Sequence, residues 1–250
     1  MNLLEHIAKA KADKVRTLDL SKQGIRLLPP QLFELDTLEE LKLDGNKLVE
    51  LPDEIGDLQN LKSLSVSEND LMLLPETIGK LTKLENLYLG YNSLSEIPET
   101  MGKLTRLQKV NIAENQLLDL PDCIGNWKEL SKLSLHDNML SVIPKTVGKL
   151  KKLTKLYLDN NDLESLPDTI GGMDSLEYLM VSGNKLMSLP GSIGDLQKLK
   201  ELVLDENSIE SVPESIADCP VLALLSLAQN PLSGELPKAI TGKAGLRIEV

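Results

Sequence analysis

The sequence has few of the residues on which most catalytic and metal sites depend. Its 250 residues include two cysteines, two histidines and only 2% aromatic residues. A core of this size usually contains more large rings, so we predict an aliphatic core built mostly from leucine. His6, Cys123, His136 and Cys219 are scattered, whereas structural zinc needs four closely spaced nitrogen or sulfur ligands. We therefore predict no metal site and no cofactor.

Basic residues and long apolar runs are also scarce. The chain has 27 Lys and Arg against 38 Asp and Glu, which gives a net charge of −11. Binding nucleic-acid phosphates or anionic membranes needs a basic face, so we expect neither kind of partner. No apolar run approaches the ~18 residues of a membrane span, and residues 1–6 lack the apolar run of a signal peptide. These absences predict a cytoplasmic protein with reduced thiols and no membrane insertion.

What the sequence does contain is one pattern repeated along almost its whole length. The pattern Leu-x-x-Leu-x-Leu-x-x-Asn-x-Leu begins at Leu38 and returns every 23 residues. Ten full repeats begin at residues 15, 38, 61, 84, 107, 130, 153, 176, 199 and 222. We predict a single solenoid domain: an N-terminal helical cap at 1–14, the ten repeats at 15–244 and a terminal strand stub at 245–250. Asn2 and Glu5 have the spacing of a capping box at a helix start.

Each recurring position within the repeat has a structural interpretation. Positions 1, 4 and 6 alternate as in a short strand and place leucines on one inward face. Position 9 is Asn in nine repeats, and its carboxamide can satisfy backbone groups where the chain leaves the strand. Position 15 is Pro, which ends the strand, and position 19 is Gly from Gly56 to Gly194, which permits a tight or left-handed bend. Stacked repeats would form a curved α/β solenoid with a parallel β-sheet on the concave side and turns or short helices on the convex side.

The repeat unit also resembles a known family. The segment Leu51-Pro52-x-x-Ile55-Gly56, followed by the leucine and asparagine pattern, resembles the leucine-rich-repeat superfamily. Within it, the strict 23-residue period resembles the intracellular Ras-related group, which includes Ras-suppressor and Scribble-like proteins. The resemblance covers residues 15–250 and implies a leucine-rich-repeat solenoid, or curved horseshoe, that acts as an intracellular protein-interaction module. The segment 230–237 is closer to plant-type repeats.

The few chemically reactive residues do not predict an enzyme. Cys123 and Cys219 lie four repeats apart and are interpreted as unrelated thiols. Trp127 occupies a leucine position, where core filling is favoured over an outer-surface contact. His136 and Asp159 share position 7 of neighbouring repeats, so a base–carboxylate pair is conceivable. No nucleophile accompanies them, and we interpret His136 as a solvated histidine or a partner contact.

The strand positions that face away from the core form the candidate binding surface. All four tyrosines fall there, and tyrosine is enriched at interfaces, although its preference for strands is a rival explanation. Lysines at position 3 of three consecutive repeats form either a recognition ridge or an ordinary solvated row. The predicted partner-binding residues are Asn86, Tyr88, Tyr91, Lys109, Asn111, Lys132, Ser134, His136, Lys155, Tyr157, Asp159, Tyr178 and Met180.

Together these features predict a non-catalytic scaffold or adaptor in signalling that binds a partner protein on its concave face. An alternative is a regulatory subunit that binds and controls a phosphatase or a small GTPase. Ile248 and Val250 are expected to point into the core with little covering them. We therefore expect a monomer, or weak self-association through this C-terminal edge.

Overall fold

The computed structural model describes residues 2–250, which form one open, curved, parallel sheet of eleven strands in sequence order. The predicted leucine-rich-repeat solenoid is thereby confirmed. Strands β1 to β11 are Thr17–Asp19, Glu40–Lys42, Ser63–Ser65, Asn86–Tyr88, Lys109–Asn111, Lys132–Ser134, Lys155–Tyr157, Tyr178–Met180, Glu201–Val203, Leu224–Ser226 and Arg247–Glu249. Each strand occupies positions 3 to 5 of its repeat.

Each strand from β1 to β10 has a buried middle residue between two residues that face the opposite side. Leu133 and Leu156 are both 1% exposed, and they are partners in the register of β6 and β7. The same register pairs Lys132 with Lys155, so every repeat position forms a straight column across the sheet. Because successive side chains of a strand alternate, positions 3 and 5 lie together on the concave surface while position 4 enters the core.

The convex side consists of short 3₁₀ helices, each of which follows a proline or begins with one. These helices are Pro30–Glu34, Asp53–Asp57, Glu76–Lys80, Glu99–Lys103, Asp122–Asn126, Lys145–Lys149, Asp168–Gly172, Gly191–Asp195 and Glu214–Asp218. A short α-helix, which we number α2 (Lys238–Thr241), takes their place in the tenth repeat. The isoleucine in the middle of most of them, such as Ile124, is fully buried, which closes the aliphatic core on this side.

The recurring asparagines form the predicted ladder of side-chain hydrogen bonds. The Oδ1 atom of Asn138 accepts the backbone N–H of Leu117 in the preceding repeat at 3.0 Å. Its Nδ2 donates to the carbonyl oxygens of Ile112 and Leu135, each at 3.0 Å. All nine asparagines repeat this pattern, from Asn46 to Asn230. Gln23 holds the equivalent position in the first repeat and is exposed.

The glycines at position 19 are explained by close packing, so the predicted left-handed bend is wrong. None of them has a positive φ, and a Cβ added at Gly148 would lie 2.3 Å from the carbonyl oxygen of Thr169. Glycine is needed because the 3₁₀ helix of the next repeat approaches its backbone directly. The left-handed backbone occurs instead at position 8, where Tyr91, Glu114 and Asp137 have φ near +55°.

Two different structures lie at the ends of the sheet. Helix α1 (Leu3–Ala12) begins with the expected capping box between Asn2 and Glu5, and it buries Ile7 and Ala10. Met1, the first residue of the predicted cap, lies outside the described residues. At the other end β11 pairs with β10; Ile248 packs partly buried against the core, but Val250 is 74% exposed. The inward orientation expected for Val250 is therefore wrong, because the chain has already left the last strand.

Within residues 2–250, neither α-helix combines the length and apolar character needed to cross a bilayer.

Candidate protein-binding surface

Most of the predicted binding residues lie on five neighbouring strands of the concave sheet. Strands β4 to β8 carry ten of the thirteen, and the other three, Tyr91, His136 and Asp159, follow directly after β4, β6 and β7. The parallel register aligns them: Ser134 pairs with Tyr157, and Tyr157 pairs with Met180. The structure therefore brings the predicted residues onto one continuous face.

Twelve of these thirteen side chains are at least partly exposed, and Ser134 is the exception. The four tyrosines and three lysines all reach the solvent, and Tyr91 is the most exposed tyrosine at 56%. Ser134 is only 4% exposed, in contrast to the accessible contact expected from the sequence. Its strand position does face the concave side, but its side chain is short and lies next to the large Tyr157. It can offer a partner little surface.

Lysine and tyrosine side chains pack against one another across neighbouring repeats. The Nζ atom of Lys132 lies 5.2 Å from the centre of the Tyr157 ring, and that of Lys155 lies 4.9 Å from the Tyr178 ring. A cation within about 6 Å of a ring face is attracted by the ring's negative potential. Two of the three lysines in the row are thus held over aromatic rings. The tyrosines present ordered apolar area, and the lysines add positive charge directly above it.

Next to this surface, three ionisable side chains meet on the turns that follow β5 and β6. The Nδ1 atom of His136 lies 2.7 Å from Oδ2 of Asp137, and one ligand atom from each of Glu114, His136 and Asp137 falls within 4.8 Å of the others. Asn160 donates to the other oxygen of Asp137 at 2.8 Å. An imidazole and two carboxylates can hold a divalent cation. The sequence analysis considered only Asp159 as a carboxylate partner for His136 and favoured a solvated histidine, so it missed this group of three side chains.

Asp159 has a structural contact of its own. Its Oδ1 accepts the backbone N–H of Ser182 in the next repeat at 2.9 Å. Burial raises the pKa of Asp159, although the Ser182 hydrogen bond and His136 act in the opposite direction. Asp44 and Asp205 accept the equivalent N–H groups in their own neighbouring repeats. Asp159 therefore stabilises the stacking of repeats as well as contributing to the surface.

The two thiols and the tryptophan lie away from the concave face. Burial raises the pKa of Cys123 to about 12 and that of Cys219 to about 11, and Glu99 adds to the first shift. A nucleophilic cysteine needs a lowered pKa, so both thiols stay protonated at neutral pH. Trp127 is 1% exposed and donates its Nε1–H to the carbonyl oxygen of Met101 at 2.9 Å. The prediction that Trp127 fills the core is confirmed.

One exposed feature was missed altogether by the sequence analysis. It lies on the edge where the chain runs from the concave strands to the convex helices, at repeat positions 10, 12 and 13. Eight large apolar side chains, which we call the apolar flank, are at least 40% exposed there: Leu27, Val49, Met72, Leu73, Leu118, Met139, Val142 and Met187. The sequence does carry a signal for this surface, because apolar residues occur at positions where the repeat pattern does not require them.

An open stack of repeats, each made of a strand and a turn, with an exposed concave sheet is the architecture of a solenoid binding protein. Family models described as leucine-rich repeat region and leucine rich repeat match residues 31–116 and 128–186, respectively. The chain belongs to the leucine-rich-repeat proteins, and members of this family generally mediate protein–protein interaction. A comparison with curated protein sequences finds no match.

Solved structures place the chain in the same family. A leucine-rich-repeat protein of Leptospira interrogans is 36% identical with a TM-score of 0.87, and the match covers 99% of this chain and 68% of that one. The leucine-rich-repeat ectodomain of the Arabidopsis thaliana receptor kinase GASSHO1/SCHENGEN3, in complex with CASPARIAN STRIP INTEGRITY FACTOR 2, is 32% identical with a TM-score of 0.83. The Arabidopsis receptor kinase HAESA, in complex with the peptide hormone IDA and the co-receptor SERK1, is 28% identical with a TM-score of 0.74. The matches cover 93% and 95% of this chain but only 29% and 46% of the two plant chains.

Proposed function

We propose that this chain is a non-catalytic, cytoplasmic adaptor that binds an extended segment of a partner protein across strands β4 to β8. The observation that carries the proposal is the pair of lysine–tyrosine contacts at Lys132–Tyr157 and Lys155–Tyr178. Binding energy at interfaces is concentrated in ordered aromatic side chains, and opposite charge steers the partner toward them. A segment with acidic side chains, and with side chains that pack on the tyrosine rings, would match both features of this surface.

The dimensions of the surface support a protein segment over a small metabolite. Five strands at about 4.8 Å spacing extend over about 20 Å, and small ligands prefer a deep pocket to an open sheet. The likeness to HAESA, which was solved with a peptide hormone, is consistent with this class of ligand. The protonated thiols provide no cysteine nucleophile, which favours a binding role over thiol-based catalysis.

The experiment that tests this proposal is affinity purification with wild-type and variant chains in parallel, followed by measurement of each partner's affinity. Tyr157→Ala should weaken binding of the true partner by about 1–2 kcal/mol without unfolding the chain, because the ring lies outside the core. Lys132→Glu should slow association and reduce its salt dependence, because it removes both the charge and the contact with Tyr157. The matched control is Lys128→Glu on the convex side, which should bind normally.

Two other results would change the interpretation. If Tyr157→Ala and Lys132→Glu bind the partner normally while a convex substitution abolishes binding, the concave assignment is wrong. Recovery of a single stoichiometric phosphatase or small GTPase would favour the regulatory-subunit alternative over an adaptor with several partners.

A further inference from the structure

We infer that the apolar flank is a second binding surface, and that its occupant is an amphipathic, basic helix of a partner protein. Apolar exposure is concentrated on this edge of the solenoid. Leu27 is 70% exposed, Met72 64%, Leu118 59% and Val142 53%, whereas equivalent side chains at the core positions are fully buried. Contiguous exposed apolar surface on a soluble protein marks an interaction site.

The flank is concave between neighbouring repeats. One groove of about 510 Å³ is lined by Leu27 and Val49 together with the charged Arg26, Lys47 and Asp70. A second groove of about 450 Å³ is lined by Val49, Met72 and Leu73 together with Glu50 and three uncharged polar residues. The two grooves are neighbours, because Val49 lines both.

The spacing of the flank fits a helix. The flank residues from Leu27 to Val142 extend over six repeats, or about 24 Å at a strand spacing of about 4.8 Å. An α-helix of about 16 residues has this length, and its turns recur every 5.4 Å. A helix of this length makes about 4.4 turns, so its apolar side chains at i, i+3, i+4 and i+7 can face the flank residues of the five repeats that carry them.

The charges along the flank specify a basic occupant. Four acidic residues border the apolar side chains, and all four are exposed: Glu50, Asp70, Glu96 and Asp119. None of them forms an ion pair within residues 2–250, whereas Glu39 and Glu177 elsewhere on the chain do so. Their unpaired charge complements lysine or arginine at the borders of the apolar face of a helix.

The test uses a fluorescein-labelled 18-residue peptide of leucine and lysine with helical amphipathic spacing. Its control has the same composition with the leucines distributed around the helix. Fluorescence anisotropy should show at least about tenfold tighter binding of the amphipathic peptide. Leu73→Ser combined with Leu118→Ser should remove most of this preference, and these exposed positions should not affect folding. The matched control, Val221→Ser, replaces an equally exposed apolar residue outside the flank and should bind normally.

A second pair of variants tests the charge component. Glu96→Lys with Asp119→Lys should weaken peptide binding several-fold at low salt and less at high salt. Glu54→Lys on the convex side changes the same kind of charge away from the flank, so affinity should change little.

Four outcomes would overturn the inference. The first is equal affinity for the two peptides, and the second is unchanged binding by the Leu73→Ser, Leu118→Ser chain. The third is a wild-type dimer that the same double variant dissociates, which would make a second copy of this chain the occupant. Loss of peptide binding in Tyr157→Ala alone would place the peptide on the concave face and would also contradict the inference.

Discussion

Replacing Asn138 by leucine tests the interaction that recurs most often in this solenoid. The substitution keeps a side chain of similar size but removes one acceptor and two donors that face backbone groups. The N–H of Leu117 accounts for the most important loss, because Oδ1 of Asn138 accepts it at 3.0 Å in a buried environment. The carbonyl oxygens of Ile112 and Leu135 each lose a donor as well.

The magnitude follows from these three contacts. Leaving one buried N–H unpaired costs about 1–3 kcal/mol, and each carbonyl hydrogen bond contributes about 0.5–1.5 kcal/mol. We expect Asn138→Leu to lower the free energy of unfolding by about 2–6 kcal/mol. Asn138→Asp keeps the acceptor for Leu117 but places a second, buried carboxylate oxygen against the carbonyl oxygens of Ile112 and Leu135, so it should cost at least as much as the leucine variant.

Urea denaturation followed by circular dichroism measures this loss, and amide hydrogen exchange at Leu117 localises it. Gln23→Leu is a matched control, because Gln23 holds the same repeat position but is exposed. It should change stability little. An Asn138→Leu midpoint equal to that of the wild type, or an equal loss in Gln23→Leu, would refute the ladder argument.

Three further predictions concern packing, charge and the C-terminal edge. Gly148→Ala should cost about 1–3 kcal/mol because the new methyl group meets the Thr169 carbonyl, whereas Gly191→Ala has open space and should be neutral in the same urea assay. Asp159→Asn should raise the urea midpoint at neutral pH, because burial raises the pKa of Asp159 and makes its charged form unfavourable in the folded chain. The Asp159 carboxyl binds its proton at a higher pH in the folded chain than in the unfolded chain. The stability gained by Asp159→Asn should therefore shrink as the pH falls through the raised pKa. A stability gain that grows as the pH falls would contradict this prediction. Hydrogen exchange should be faster at Ile248 than at Leu133, and equal protection in a strict monomer would contradict a frayed edge.

The fold was predictable because the physical requirements recur every 23 residues. Leucines at positions 1, 4 and 6 indicate a short strand with one inward face, and the structure buries Leu130, Leu133 and Leu135 accordingly. An asparagine at position 9 indicates a polar group needed inside an otherwise aliphatic turn. Even Trp127 could be assigned to the core, since it replaces a leucine at a core position.

The remaining features depend on distances between neighbouring repeats, which a single repeat does not encode. Gly148 gave no sign in the sequence that its Cβ position is occupied by the Thr169 carbonyl, so a left-handed bend was an equally reasonable explanation. The pairing of His136 with Asp137 rather than Asp159 depends on side-chain orientation within one turn. The burial of Ser134 could not be predicted from its repeat position, because Ser65 at the same position is only half-buried.

The regularity of the solenoid also separates its two candidate surfaces. The concave tyrosines lie on positions 3, 5 and 8 of repeats four, seven and eight, whereas the apolar flank lies on positions 10, 12 and 13 of repeats one to three, five, six and eight. The core aliphatic residue at position 6 and the asparagine at position 9 stand between them, as Ile112 and Asn115 do in the fifth repeat. Both residues are buried and bonded across repeats, so each surface can change without altering the other. We therefore expect this chain to bind an extended acidic segment on its sheet and a basic helix on its flank at the same time.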